Sequence, residues 1–448
     1  MRRALAVILV VCCVLSGTTI AASPPGREDI GAVQPTANAT ASLTVAPSAV
    51  ETAAYRRATL DISGALALDS QRLDDRFEQR VLDERTGRIN TTSARRAQIH
   101  RTADRIEAAV IDLRERQIEV IHRYNNGSLS PDAFVFALAR IDVAASGVEM
   151  AAERVAERAR PIPNLRIDGQ YADNWARNRR IELGPLEGPV RDHIRETLRG
   201  ENTMRVETSS TGLDAIGTAR GVRLEPLQVY VETTDNGVVL AAVDDGKYYR
   251  EAYLPGIRNT TTPTEITGIG DAFRRMTQQY PWASNHSSTK RSVGGRRAGL
   301  YRFTLYHDHG RLTTYLNRTS GRVFAEQQRV GLSQVPTAAP VTGRANGLRL
   351  QVNRTRPTGP LEISLSGPDG EPVDGQITVA NQSVGRTGPD GTLWTITPRG
   401  NYTVVASTDN RSVRVKTNAT PETNATPTTN RTPTTNATTS IVTVADEG

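Results

Sequence analysis

The pattern in this chain most able to carry chemistry is Asn-x-Ser/Thr, the acceptor for N-linked glycans, which occurs fourteen times in 448 residues. It needs only an accessible amide and a hydroxyl two residues on, so it points to glycosylation and not to catalysis. Asn418, Asn424, Asn430 and Asn436 recur every six residues in a Thr/Pro-rich tail, a regularity that accident does not readily produce. Asn317, Asn353, Asn381 and Asn410 fall in turn-like segments where a glycan would be sterically acceptable. The remaining acceptors are Asn38, Asn90, Asn126, Asn259, Asn285 and Asn401. The competing reading is a merely hydrophilic tail.

His307-Asp308-His309 places two histidines at i,i+2, a spacing that on a strand aims both at one face and could bind a metal with a third ligand. The pair abuts Gly310 in what reads as a hairpin turn, and the six histidines of the chain offer no cluster to complete a site. A polar turn without metal is expected. No Gly-x-Ser-x-Gly elbow, His-Glu-x-x-His pair or phosphate loop occurs. Asp74-Asp75 reads as a helix surface and Asp244-Asp245 as a turn, while Lys290, Arg291, Arg296 and Arg297 lie among glycines and read as a mobile loop. The expectation is a non-enzyme with no cofactor.

The start of the chain specifies a compartment. Arg2 and Arg3 precede an apolar run from Ala4 to Leu15, and small residues follow at Ala21, Ala22 and Ser23. Positive, apolar, small is the order of a secretory signal, cleaved after Ala22 or Ser23. A retained anchor is the alternative, but twelve apolar residues fall short of the ~20 that span a bilayer. Cys12 and Cys13 both lie in that run, so the mature chain would hold no disulfide, thiol nucleophile or thiolate metal site. No later apolar stretch reaches ~18 residues, so no further span is expected. The net charge of +7 is dispersed, with lysine only at Lys247, Lys290 and Lys416. Without a basic stripe or aromatic platform, nucleic acid is not an expected partner.

The elements follow from periodicity. Residues 24–47 read as a Pro/Ala/Thr-rich linker and 48–160 as an antiparallel helical bundle or coiled coil. In its second helix Ile99, Ala103, Ile106, Val110, Leu113, Gln117, Val120 and Tyr124 step alternately by four and three, the a/d seam of a coiled coil. Such a seam is expected inside the bundle, with a dimer as the alternative. Tyr55, Ile62, Leu66, Leu73 and Phe77 repeat similarly before it. Thr91, Thr92 or Ser93 can cap the second helix, and Ser130-Pro131 starts the third. From 180 to 335 the pattern becomes α+β with antiparallel sheet, and a short helix is capped at Asp271. Residues 345–416 alternate as a small β-sandwich, and 417–448 form a disordered Thr/Asn/Pro-rich tail. The fold class is multidomain α+β.

Resemblances sharpen this. Helix, strand, turn, strand, then "NRTSGRVF" and a strand, over 269–330, resembles the PepSY-type modules of secreted proteins, which implies an interaction or inhibitory module. Asp369–Val373, Thr387–Gly391 and Pro398–Tyr402 resemble the turn motifs of transthyretin-like or carboxypeptidase-regulatory-like sandwiches, which act as scaffolds. The whole arrangement, including "HRYNNGSLSPDAFVFALARIDVAA", resembles an uncharacterised family of secreted haloarchaeal proteins. The expected function is a glycosylated extracellular or cell-surface interaction protein, its partner an envelope protein or glycan. The alternatives are a protease inhibitor or chaperone working through the PepSY-like region, and an enzyme with a cryptic site.

Overall fold

The computed structural model of the chain describes residues 30–36, 38–201, 204–206, 222–224, 226–258, 266–295, 298–419 and 441–443. The expected leader, its cleavage point at Ala22 and Ser23, and the tail acceptors Asn424, Asn430 and Asn436 lie outside these residues.

β6 (Leu227–Thr233) and β7 (Val238–Asp244) are buried along nearly their whole length rather than at alternate residues. Such strands need a sheet covered on both faces. They lie in a nine-stranded sheet of order β21-β9-β10-β11-β12-β8-β7-β6-β3. The other members are β21 (Ile441–Thr443), β9 (Ser287–Gly295), β10 (Leu300–His307), β11 (Gly310–Asn317), β12 (Val323–Gly331), β8 (Lys247–Tyr253) and β3 (Thr52–Ala58). All pairings are antiparallel except β21 on β9. A separate short hairpin joins β4 (Met204–Val206) to β5 (Val222–Leu224).

Register assigns the faces. Tyr55, Tyr230, Ala241, Arg250 and Gln328 stand in one row across β3, β6, β7, β8 and β12. Neighbouring residues such as Val229, Val231, Tyr249 and Glu251 point the opposite way. On that opposite face lie the helices α1 (Ile62–Gly87), α2 (Thr92–Asn125), α3 (Pro131–Ala159), α4 (Ala172–Leu183) and α5 (Pro189–Leu198). The α2 seam is buried throughout, Gln117 included. Its first half packs with Trp175 and the end of α3, its second half with the main core. The hydroxyl of Thr91 caps α2 through the amide of Ala94, and Ser130 caps α3 through Ala133.

The row face carries two covers. Over one part sit α6 (Ile269–Gln279), α7 (Pro281–Asn285) and a hairpin of β1 (Gly31–Thr36) with β2 (Ala39–Val45). Over the other sits a sandwich of two four-stranded sheets, β13-β14-β15-β18 and β17-β16-β19-β20. Its strands are β13 (Val341–Ala345), β14 (Leu348–Asn353), β15 (Pro360–Ser366), β16 (Gln376–Val379), β17 (Gln382–Arg386), β18 (Thr392–Ile396), β19 (Asn401–Ser407) and β20 (Ser412–Asn418). The chain is thus multidomain α+β, helical in its N-terminal part and antiparallel sheet beyond.

Several expectations change. Residues 31–45 are not a linker, because Ala41, Leu43 and Val45 alternate inward and are buried. Tyr55 does not extend a helical seam; it stands in edge strand β3 and reaches the sandwich, its hydroxyl donating to the Ile396 carbonyl. The bundle does not end near 160, since α4 closes the core around Trp175. Lys290 and Arg291 belong to strand β9, not to a loop. The helix expected to be capped at Asp271 is α6, which starts at Ile269, with Asp271 inside its first turn accepting from the Thr267 amide.

The covers meet at one ion pair with no exposed side-chain surface. Arg250 Nη1 donates to Glu326 Oε1 at 2.6 Å, Nη2 to the Leu43 carbonyl at 2.5 Å and Nε to Thr358 Oγ1 at 3.1 Å. Glu326 also accepts from the Leu43 amide, the Tyr280 hydroxyl and Gln328 Nε2, at 2.7, 2.6 and 2.8 Å. Removing one member of such a pair strands a buried charge, at about 3–5 kcal/mol. Arg250→Met should therefore lower the unfolding free energy measured by urea titration by that amount, and Arg250→Met with Glu326→Leu should recover most of it. Equal losses in single and double variants would refute the coupling.

Candidate functional site

Three groups of residues could do chemistry. The first surrounds Trp282 on α7. His286 stacks on its ring with centroids 4.4 Å apart, His309 lies 4.3 Å away on a tilt, and His307 meets it edge-on at 5.5 Å. His307 ends β10 and pairs with Gly310, so Asp308-His309 is a two-residue turn, as its position beside glycine suggested. His307 is buried and its Nε2 lies 3.1 Å from Thr40 Oγ1 of the β1–β2 hairpin. Burial, then the charges His309 and His286 would carry, lower its pKa to about 4. That contact therefore stabilises the fold above about pH 6.5 and weakens as pH falls toward 4. Among the described residues no group of three His, Cys, Asp or Glu is arranged to hold a metal.

The second group joins α3 and α5 to the sheet. Arg191 Nε donates to Glu251 Oε1 at 2.8 Å, and its Nη1 to Gln117 Oε1 at 2.8 Å and to the Leu186 carbonyl. Asp142 accepts from Arg195 at 2.7 Å and from the Gly188 amide at 3.2 Å. A Cβ at Gly188 would lie 1.6 Å from Glu251 Oε2, so only glycine lets the chain pass this carboxylate. Burial raises Asp142 to about 7, helped by Asp192 and opposed by Arg195. Burial followed by Glu149, Asp142 and Asp192 raises Glu187 to about 8, with Ser146 opposing. Perturbed carboxylates often mark active sites, but ion-pair joints perturb them equally. The cavity beside Glu187, Arg191 and Glu251 is about 10 Å³, room for one water. The bonds of the cluster tie α2, α3, α5 and the sheet to one another.

The third group is the acceptor asparagines. Asn38, Asn90, Asn126, Asn285, Asn381, Asn401, Asn410 and Asn418 are exposed. Asn38 and Asn381 sit at hairpin tips with φ of 57° and 62°. Asn353 is half-buried and its Nδ2 donates to Glu362 at 2.7 Å. Asn317 overturns its expectation: it is 5 % exposed, and its Oδ1 accepts from the Thr319 and Ser320 amides. The turn that attracted attention to it is made by its own side chain, which buries the would-be acceptor. Asn259 lies outside the described residues.

Sequence reasoning missed Arg250, Glu326, Arg191, Glu251, Asp142 and Glu187. For Arg250, Glu251 and Glu326 the signal was charge inside apolar strands, as in Tyr248-Tyr249-Arg250-Glu251-Ala252-Tyr253 and Val323-Phe324-Ala325-Glu326, while Asp142 and Arg191 sit on helices and Glu187 in the turn before α5.

Fold and site define a layered multidomain α+β protein closed by a C-terminal β-sandwich. Residues 1–203 match a domain of unknown function (DUF7096), 229–336 a family of unknown function (DUF7094), and 339–415 an archaeal fibronectin-III type-like domain. Each match covers less than half of the chain; together they make it similar to archaeal proteins of unknown function with a β-sandwich C-terminus, and the sandwich is similar to the fibronectin-III type where its turns had suggested a transthyretin-like one. No curated protein and no solved structure matches the chain.

The raised carboxylates fix a sign for pH. A carboxyl held above its ordinary value of 4.5 stabilises the fold fully below that value and loses this as pH rises through about 8. Melting temperature should therefore fall from pH 6 to 9. Glu187→Gln should flatten that fall and raise the pH 9 melting point by a few degrees; an unchanged slope would assign the pH response elsewhere.

Proposed function

We propose that the chain is an exported, N-glycosylated, non-enzymatic surface or secreted protein that meets its partner, an envelope protein or glycan, through its outer faces. The observation that carries the reading is the placement of the acceptors: eight of the ten among the described residues are exposed, four of them (Asn38, Asn126, Asn381 and Asn410) at turns or bends. Turn chemistry alone explains an asparagine with positive φ. It does not explain a Ser or Thr two residues on. Asn164 and Asn346 also have positive φ, at 56° and 51°, and neither is an acceptor. The leader-like start and the periodic tail support the same reading. So does the interior, where the charged groups bond to one another around a cavity too small for a substrate.

Mass spectrometry of the native protein from medium, envelope and cytosol tests it. The expected result is a mature N-terminus beside Ala22 or Ser23, with glycan-shifted peptides at Asn381, Asn410 and Asn418 and an unshifted peptide at Asn317. An intact Met1 with unmodified peptides in the cytosol would overturn the proposal.

A second reading draws on the order α6, α7, β9, β10, β11, β12, which is compatible with the PepSY-like resemblance of 269–330. It casts the chain as an inhibitor or chaperone of an extracellular protease. Stoichiometric inhibition of a copurifying protease by the purified chain would support it; unimpeded cleavage would reject it.

A further inference from the structure

Helix α1 carries its apolar residues on the outside. Ile62, Leu66, Leu73 and Phe77 are 67 %, 65 %, 63 % and 68 % exposed. Steps of four, seven and four keep all four within an arc of about 60°. Toward the protein α1 presents Leu68, which is fully buried, and Gly64, where a Cβ would lie 3.0 Å from the Phe136 ring of α3. Farther along, Asp75 lies against Gly147 of α3, where a Cβ would come 2.3 Å from its Oδ2. Leu68 apart, the helix thus turns small and polar residues inward and sets Ile62, Leu66, Leu73 and Phe77 outward, with Asp69 and Ser70 between the two pairs, the reverse of an ordinary surface helix. Among the described residues the other exposed large apolar side chains are Leu60, just before this helix, and the scattered Ile111, Met150 and Tyr171.

We infer that this stripe is the dimer interface of the protein, with α1 of a second copy packed antiparallel upon it. The spacing is self-complementary. A twofold axis between Asp69 and Ser70 sets Ile62 opposite Phe77 of the second copy and Leu66 opposite Leu73, so every apolar residue meets another. An isologous contact requires that symmetry of one patch with itself. Two-thirds of such a side chain is on the order of 100 Å², so the four contribute about 400 Å² per copy. With the rim residues Asp69, Ser70, Arg76 and Arg80, the total approaches the ~1,200 Å² at which specific interfaces begin. A reversible dimer of micromolar affinity follows. No acceptor asparagine lies between residues 39 and 89, so the stripe carries no glycan site. A membrane surface fits less well, because α1 holds six carboxylates against four arginines where interfacial helices are basic.

Sedimentation equilibrium of the full chain, from about 1 to 100 µM, reads the dimer directly. The wild type should shift from monomer to dimer across that range, while Leu66→Glu/Leu73→Glu should stay monomeric with unchanged circular dichroism, since both positions are exposed. With Cys12 and Cys13 replaced by Ser, Ser70→Cys should form a disulfide-linked dimer and Leu66→Cys should not. A wild type that remains monomeric, a double variant that still dimerises, or Leu66→Cys dimers without Ser70→Cys dimers would overturn the inference. So would flotation of a monomeric wild type with anionic phospholipid vesicles that the double variant loses.

Discussion

Two consecutive residues of one strand hold the molecule together. Successive side chains of a strand point to opposite faces, and in β8 these are Arg250 and Glu251. Arg250 reaches Glu326, the Leu43 carbonyl and Thr358, binding the sheet to the β1–β2 hairpin and the sandwich. Glu251 reaches Arg191 and the Val190 amide, binding the sheet to α5 and, through Gln117, to α2. Burying charges is costly, and the cost is offset only where every donor and acceptor is met. Each ion pair is therefore satisfied in one relative placement of the layers and left wanting in others.

This constraint explains why the three matched segments do not behave as beads on a string. β3, from the first, pairs with β6 from the second, and Arg399 of the third donates to Glu232 of the second at 2.8 Å. The Arg399 amide donates to the Tyr230 hydroxyl, and Tyr248 donates to the Thr358 carbonyl. A sandwich placed differently would take Arg399 from Glu232 and Thr358 from Arg250, leaving those buried polar groups short of a partner. Tyr280 shows the same economy: burial and then the Glu326 charge hold its hydroxyl well above its ordinary pKa, so it stays protonated and donates.

What the sequence made legible was local. The α2 seam, the caps at Thr91 and Ser130 and the turn motifs of the sandwich at Asp369–Val373, Thr387–Gly391 and Pro398–Tyr402 all depend on neighbours within a few residues. What it hid was pairing across the chain. Nothing near Leu43 announces that its amide will meet a carboxylate 283 residues away. The β1–β2 hairpin was hidden by Pro35 and its threonines, which outweighed the modest alternation of Ala41, Leu43 and Val45. Tyr55 shared a period with the residues of α1 by coincidence, and a break at Leu60-Asp61 separates strand from helix. Asn317 looked like an exposed acceptor because turn residues usually are exposed; a side chain that builds its turn inward is the exception.

The interior and the exterior then divide the work between them. With both faces of the sheet covered and the buried charges engaged with one another, the partner-binding we propose falls to surfaces the folding of one chain does not use. α2 and α1 have similar periodicity, yet the seam of α2 is consumed by the core, whereas α1 gives the core Leu68 and meets α3 otherwise through Gly64 and Asp75. A stripe of Ile, Leu, Leu and Phe left outward brings no stability to the single chain and exposes apolar area that monomeric proteins keep scattered. No acceptor asparagine lies on this helix. The separation of a hydrated, modifiable surface from one bare apolar helix is what a protein needs if it is to associate along one face and remain soluble along the rest.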